Sequence, residues 1–406
     1  MHMHEILLVI TLGGLILSST GRLGLANPFQ IYFSVWSFVF LGYYFFRETF
    51  IDVSAIFLAT IAVAQLSAFV LLLVIHGSTK RKEIRINKEP ITVKNGGYVL
   101  LAQVVTVLVI PLVYLKAVSL AGGVDIFSPD GYMRLRSAMT EDGMGFGVLT
   151  YFSILSYVVT SVSVFMYLSQ QMGIRRLLAS IGPGLFYAYI GTARTGVLLL
   201  LILISVPLIL RGTLKIKGLL VVSSFMLLIF MFIAAMTSKG VSVDAGFLEN
   251  IISFSNNIRS YTIAPFLAFF KLFETGSPLD WGQNSFRIIF AIGNFFGLDA
   301  SPTSSLERAY AYVPDQTNVF TVYEVYFRDF SYIGLIAPTF FLTIHWWLYK
   351  RANKFGGIWI FLYAASVYPL VMQFFQDQYF SLISMWIQIA FWLWIFFRSR
   401  KFAISR

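Results

Sequence analysis

The chain has 406 residues, of which 58% are hydrophobic and only 12% charged, too little charged surface to cover a soluble core of that size. It contains no cysteine, which excludes disulfides, thiolate metal sites and cysteine nucleophiles. A net charge of +11 would point to nucleic acid in a soluble protein; in a chain whose solvent is the lipid bilayer it has to be mapped onto loops first, and no nucleic-acid partner is expected.

A helix needs about 20 apolar residues to cross the hydrocarbon, and runs of that order occur near 5–20, 28–46, 53–75, 97–118, 147–168, 177–192, 195–211, 218–236, 332–349, 357–375 and 380–397. The first run lacks the Lys or Arg of a signal peptide's basic region and is read as a span. The pattern predicts an all-α polytopic membrane protein with about 11 transmembrane helices, 1–406 forming a single integral membrane domain.

Orientation follows from Lys and Arg, which are retained on the cytoplasmic side. Placing Lys80, Arg81, Lys82, Arg85, Lys88 and Lys94 inside puts Arg22, Arg175, Arg176, Arg211, Lys215, Lys217, Lys350, Arg351, Lys354 and the carboxy-terminal cluster from Arg398 inside as well. Glu83 and Glu89 are the only acids in these segments. The amino terminus is then outside and the carboxy terminus inside.

Two outer loops are long, 119–146 and 237–331, and long loops in compact proteins commonly carry function. The second is aromatic and apolar over Phe247–Phe273 and Trp281–Leu298. Its breaks at Pro265, Pro278 and Pro302 predict short interfacial helices on the membrane surface.

Three features could carry chemistry. In Gly191-Thr-Ala-Arg194-Thr-Gly196 two spans meet with almost no linker. An arginine there either binds an anion or snorkels to the interface, and the glycines and threonines beside it free backbone N–H groups to face an anion. In Asn318-Val-Phe-Thr321-Val-Tyr-Glu324-Val-Tyr-Phe-Arg328-Asp329, Thr321 and Glu324 have capping-box spacing, and Glu324 and Arg328 stand one helical turn apart. The pair is either a plain surface ion pair or part of a site. Asp329 sits deeper, among Phe327, Phe330 and Tyr332, a setting suited to a general base. The third feature is a scatter of outer-loop basic residues: Arg134, Arg136, Lys239, Arg259, Lys271, Arg287 and Arg308. Each alone reads as a solvated side chain; together they suggest an anionic ligand approached from outside.

No Walker loop, dinucleotide fingerprint, His-Glu-x-x-His or Asp-x-Asp is present, so no cofactor and no metal are expected. His2, His4, His76 and His345 are the only histidines, and none lies in a long outer loop. No inverted repeat or paired broken helices point to a transporter.

Through Asn27-Pro28-Phe29 opening an aromatic span with Trp36, the Gly191–Gly196 junction, one large late outer loop, and Asn318–Tyr323 running to Arg328-Asp329-Phe330 with Gly334, the chain resembles the Wzy-type O-antigen polymerases. The resemblance implies a relative of the GT-C membrane glycosyltransferases in the bacterial inner membrane, with 237–331 as a large periplasmic loop. It implies a metal-independent enzyme of lipopolysaccharide or related surface polysaccharide biosynthesis. Its substrates would be undecaprenyl-pyrophosphate-linked glycans, and a chain-length regulator protein would be a further partner. Arg194, with Arg259 and also Arg287 and Arg328, would neutralise the pyrophosphate, and Asp329 or Glu324 would activate the acceptor. An O-antigen ligase or other lipid-linked glycan transferase, and a flippase, are the competing readings. The ligases use a histidine in this loop, which this chain lacks.

Overall fold

The computed structural model describes residues 2–20, 23–79, 93–140, 143–214, 218, 247–298 and 308–398, apart from 25, 193, 277 and 315. The chain is all-α, 76% helical, with one two-stranded antiparallel hairpin, β1 (Ala311–Tyr312) against β2 (Gln316–Thr317). The chain splits into two compact units. The first unit comprises Met1–Arg85, Ala245–Lys350 and Ser366–Ile383; the second comprises Ile86–Asp244, Arg351–Ala365 and Ser384–Arg406.

Among the described residues, five helical segments are long and apolar enough to cross a membrane: Pro28–Thr49, Ala55–Ser78, Gly96–Leu120, Gly147–Leu168 and Phe380–Phe397. A bent pair, Tyr323–Gly334 with Ala337–Phe355, makes a sixth if it is counted as one span. Three further expected spans are apolar but short, Met3–Ser18, Thr195–Leu210 and Ile358–Met372. Sixteen residues, the length of the first, rise about 24 Å, less than the hydrocarbon thickness. The expected span at 177–192 is a helix of 17 residues, Ile174–Ile190, carrying Arg175 and Arg176 in its first turn. The one at 218–236 lies outside the described residues.

The first unit is built on α1 (Met3–Ser18), α2 (Pro28–Phe46) and α3 (Ala55–Ser78). The Asn27-Pro28 pair starts α2 for a physical reason. Pro28 takes a first-turn position where no N–H is needed, and the buried Asn27 side chain accepts from Gln30 N at 2.9 Å while donating to Ser18 O at 3.1 Å and Gly24 O at 2.9 Å.

Across this layer lies α10 (Phe247–Thr275), a continuous helix of 29 residues, where the sequence predicted short helices broken at Pro265. A proline inside a helix costs about 3 kcal/mol, and here packing overrides it. Phe266, Leu267 and Phe269 are fully enclosed, and Phe57 of α3 meets the rings of Phe266, Phe269, Phe270 and Phe273 at 5.2–5.5 Å. After it come the short α11 (Arg287–Phe295), the hairpin, α12 (Tyr323–Gly334) and α13 (Ala337–Phe355). The corner between α12 and α13 turns the chain by 104°. Ser331 there has φ 52°, and a Cβ on Gly334 would collide with the Tyr326 carbonyl, so the corner requires glycine at that position.

The second unit holds α4 (Gly96–Leu108), α5 (Ile110–Leu120), α6 (Pro129–Thr140), α7 (Thr150–Leu168), α8 (Ile174–Ile190), α9 (Arg194–Leu210) and α15 (Ile383–Phe397) from Ser384 onward. Gln103 joins three of its helices, donating to Ser163 Oγ at 3.0 Å and Ser180 Oγ at 2.6 Å. Such bonds hold apolar helices together where burial gives no driving force. The helix α14 (Ile358–Met372) runs through both units and delivers the turn 373–382 to the first.

Candidate functional site

The site of the first unit is organised by a loop and a helix. The loop, 276–286, turns through positive φ at Gly276, Trp281 and Gly282 and is pinned to α12 by Asp280 N donating to Arg328 O at 3.0 Å. Asp329, wholly buried, grips its far side. It accepts from Asn284 N at 3.2 Å, Asn284 Nδ2 at 2.9 Å and Ser285 N at 2.7 Å, and also from the Ser285 hydroxyl. Through those four hydrogen bonds, two of them from backbone N–H groups, Asp329 fixes the loop that carries Asn284 and leads into Arg287.

Glu324, one turn earlier on α12, lies 5% exposed at its side chain between two guanidinium groups. Arg308 Nε reaches Glu324 Oε1 at 2.9 Å, and Arg328 Nε bonds the same oxygen. The expected capping box does not form. Glu324 N donates to Thr321 O at 3.0 Å, but the Thr321 hydroxyl has no partner among the described residues, because the two arginines draw the glutamate away. Burial also makes this triad more than a screened surface pair.

Arg308 is held from a second side, Nη2 donating to Asn284 Oδ1 at 2.8 Å. Nε and Nη2 are thus committed, while Nη1 has no partner among the described residues and the side chain is 14% exposed. It borders a cleft lined also by Asn284, Arg287, Asn318, Val319, Phe320, Glu324, Val325, Gln376, Asp377 and Ser381. The opposite wall is the turn after α14. Buried Asp377 there accepts from Tyr326 OH at 2.8 Å, Ser381 Oγ at 2.8 Å, Tyr379 N at 3.2 Å and Ser381 N at 3.3 Å. Burial pushes the Asp377 carboxyl above its ordinary range, with the Ser381 and Tyr326 hydrogen bonds opposing in part.

Of the residues singled out from sequence, Glu324 and Arg287 line the cleft. Arg328 pairs with Glu324, and Asp329 holds the loop behind the cleft. Arg259 stands apart on α10, its guanidinium over Phe46 and Phe50 at 5.5 and 5.6 Å with Nε unpartnered among the described residues. Arg194 opens α9 in the second unit, and its side chain lies outside the described residues. The junction ahead of it is shaped by Arg136, which donates to Thr192 O at 3.1 Å while Thr192 holds φ 47°. Gly196 leaves room for the Tyr157 hydroxyl, 2.9 Å from where a Cβ would stand.

The sequence reading gave no individual role to Arg308 and passed over Asn284, Asp377 and Ser381. Asp377 carried one signal, since it is the only acidic residue after Asp329. Asn284 and Ser381 carried none, because each matters only through a partner far away in the chain. Among the described residues no three His, Asp or Glu side chains are grouped to hold a metal ion. No protein-family model matches the chain, and no curated protein and no solved structure is significantly similar to it.

Proposed function

We propose that the chain polymerises undecaprenyl-pyrophosphate-linked oligosaccharide repeat units on the periplasmic face of a bacterial inner membrane, with the cleft of the first unit as the site that takes the pyrophosphate. The observation that carries this reading is Arg308, locked by Glu324 and Asn284, its Nη1 without a partner among the described residues, at a cleft that Arg287 also borders. Guanidinium groups bond phosphate oxygens strongly and with defined geometry. Stabilising a pyrophosphate leaving group is mainly electrostatic, so preorganised arginines supply what the reaction needs. Glu324 then serves as the brace of Arg308, with Arg328 completing its neutralisation, and Asp329 as the support of the loop beneath.

The topology belongs to the same reading. Eleven spans, amino terminus out, place the cleft's loop segment on the side that lacks the Lys80–Lys94 cluster, as the retention of basic residues in the cytoplasm demands. Arg194 in the second unit and Arg259 in the first each remain, by the resemblance, a proposed pyrophosphate-binding residue.

The direct test is binding of undecaprenyl pyrophosphate to the detergent-purified protein, together with chain extension in proteoliposomes supplied with lipid-linked repeat units from the source cells. Saturable binding that Arg308→Ala weakens, with polymer formed by the wild type, supports the function. Polymer formation by wild type and Arg308→Ala alike would remove Arg308 from it.

A further inference from the structure

The cleft holds two carboxylates in opposite settings. Glu324 is clasped by two guanidinium groups. Asp377 receives only neutral donors, the hydroxyls of Tyr326 and Ser381 and the backbone N–H groups of Tyr379 and Ser381, and among the described residues it forms no ion pair. Two carboxyls set so differently in one cleft can take different roles.

We infer that Asp377 is the proton acceptor of the cleft, taking the proton of the attacking acceptor hydroxyl by way of Ser381 Oγ. The inference rests on the polymerase reading and deepens it by assigning the base. Both residues line the cleft, and Ser381 Oγ lies 2.8 Å from Asp377 Oδ2, close enough to hand a proton on. In the step, the acceptor hydroxyl oxygen forms a bond to the anomeric carbon of the chain being transferred, and the bond from that carbon to the phosphate oxygen breaks. The electron pair leaves with the lipid pyrophosphate, facing Arg287 and Arg308. The hydroxyl proton passes to Ser381 Oγ as the serine's own proton goes to Asp377.

Burial raises the Asp377 carboxyl, which brings a carboxylic acid nearer the working pH of a general base. The charged groups that line the cleft with it are Glu324 from α12, Arg287 from α11 and Arg308 ahead of the hairpin, and Tyr326 of α12 and Tyr379 of its own turn hydrogen-bond to it. Tyr379 in turn meets His345 of α13 at 3.0 Å. A general base works in its ionised form, so activity is lost as pH falls through the Asp377 transition.

The test joins spectroscopy to turnover. Infrared titration of the purified protein should show a protonated-carboxyl band that titrates above the ordinary aspartate range, absent from Asp377→Asn and kept in Glu324→Gln. Polymer formation should fall by about 10²–10⁴-fold in Asp377→Asn, with undecaprenyl pyrophosphate binding unchanged. Ser381→Ala should also slow turnover without altering that binding, and Asp377→Glu should move the acid limb of the pH profile. A wild type without the titrating band, a normal polymerisation rate in Asp377→Asn, or an unmoved acid limb in Asp377→Glu would each overturn the inference. Should the Asn variant fail to accumulate, the wild-type band and the Ser381→Ala rate decide: absence of the band or a normal rate in Ser381→Ala sinks the relay. Failure of the wild type to bind undecaprenyl pyrophosphate would instead overturn the polymerase reading.

Discussion

Asp329 and Arg308 stand in different settings, and each predicts a different response to substitution. Asp329 accepts two backbone and two side-chain hydrogen bonds, so replacing it removes a latch. Each buried donor left unpaired costs about 1–3 kcal/mol. Asp329→Asn is therefore expected to lower the thermal unfolding temperature of the purified protein and to speed hydrogen exchange over 280–286; an unchanged unfolding temperature with lost polymer would mark Asp329 as a direct participant instead. Arg308 is the converse case. A charge-assisted hydrogen bond contributes about 1.5–3 kcal/mol, so Arg308→Ala is expected to weaken undecaprenyl pyrophosphate binding by about 10–100-fold. Arg308→Lys should restore little of it, because a single ammonium cannot bond Glu324, Asn284 and a phosphate in the same arrangement. Full affinity in the lysine variant would reduce the site to a point charge.

At the scale of elements, the corner between α12 and α13 sets the cleft. It lets α12 present Glu324, Tyr326 and Asp329 toward a loop and a turn, while the next helix leaves at 104°. Gly334 makes that corner possible because any Cβ would meet the Tyr326 carbonyl. Gly334→Ala is expected to displace α12 and reduce both folded protein in membranes and binding at the cleft, whereas substitution of Gly97, with nothing within 4 Å of its Cβ position, should leave both near wild type. A Gly334→Ala protein with normal abundance and binding would show that the corner can shift without consequence. The aromatic clamp of Phe57 on α10 is a second such feature, since it holds straight a helix that Pro265 alone would break.

For the whole molecule, the measurable question is which side of the membrane carries each segment. Alkaline phosphatase fused near residue 280 is expected to be active, and fusions near residue 85 inactive, because basic residues are retained in the cytoplasm. The reverse pattern would place the cleft on the cytoplasmic side and remove the periplasmic polymerase reading.

The sequence by itself determined the element type. Runs of apolar residues such as 55–78 and 96–120 have no alternative to helix in lipid, where every backbone group must be bonded within its own segment, and such local requirements can be read from composition and length. It also indicated that the late outer segment holds the polar groups of interest, with Glu324 and Arg328 paired on one turn. Tertiary structure alone decided the rest. Proline at 265 predicts a break, but the rings gathered around Phe57 override it. Thr321 and Glu324 match a capping box, but Arg308, 16 residues away, competes for the carboxylate. Asp377 meets Tyr326 across 51 residues, and Asn284 meets Asp329 across 45. Hydrogen bonds of this kind are set by where the chain returns in space, and no local pattern of residues records that return.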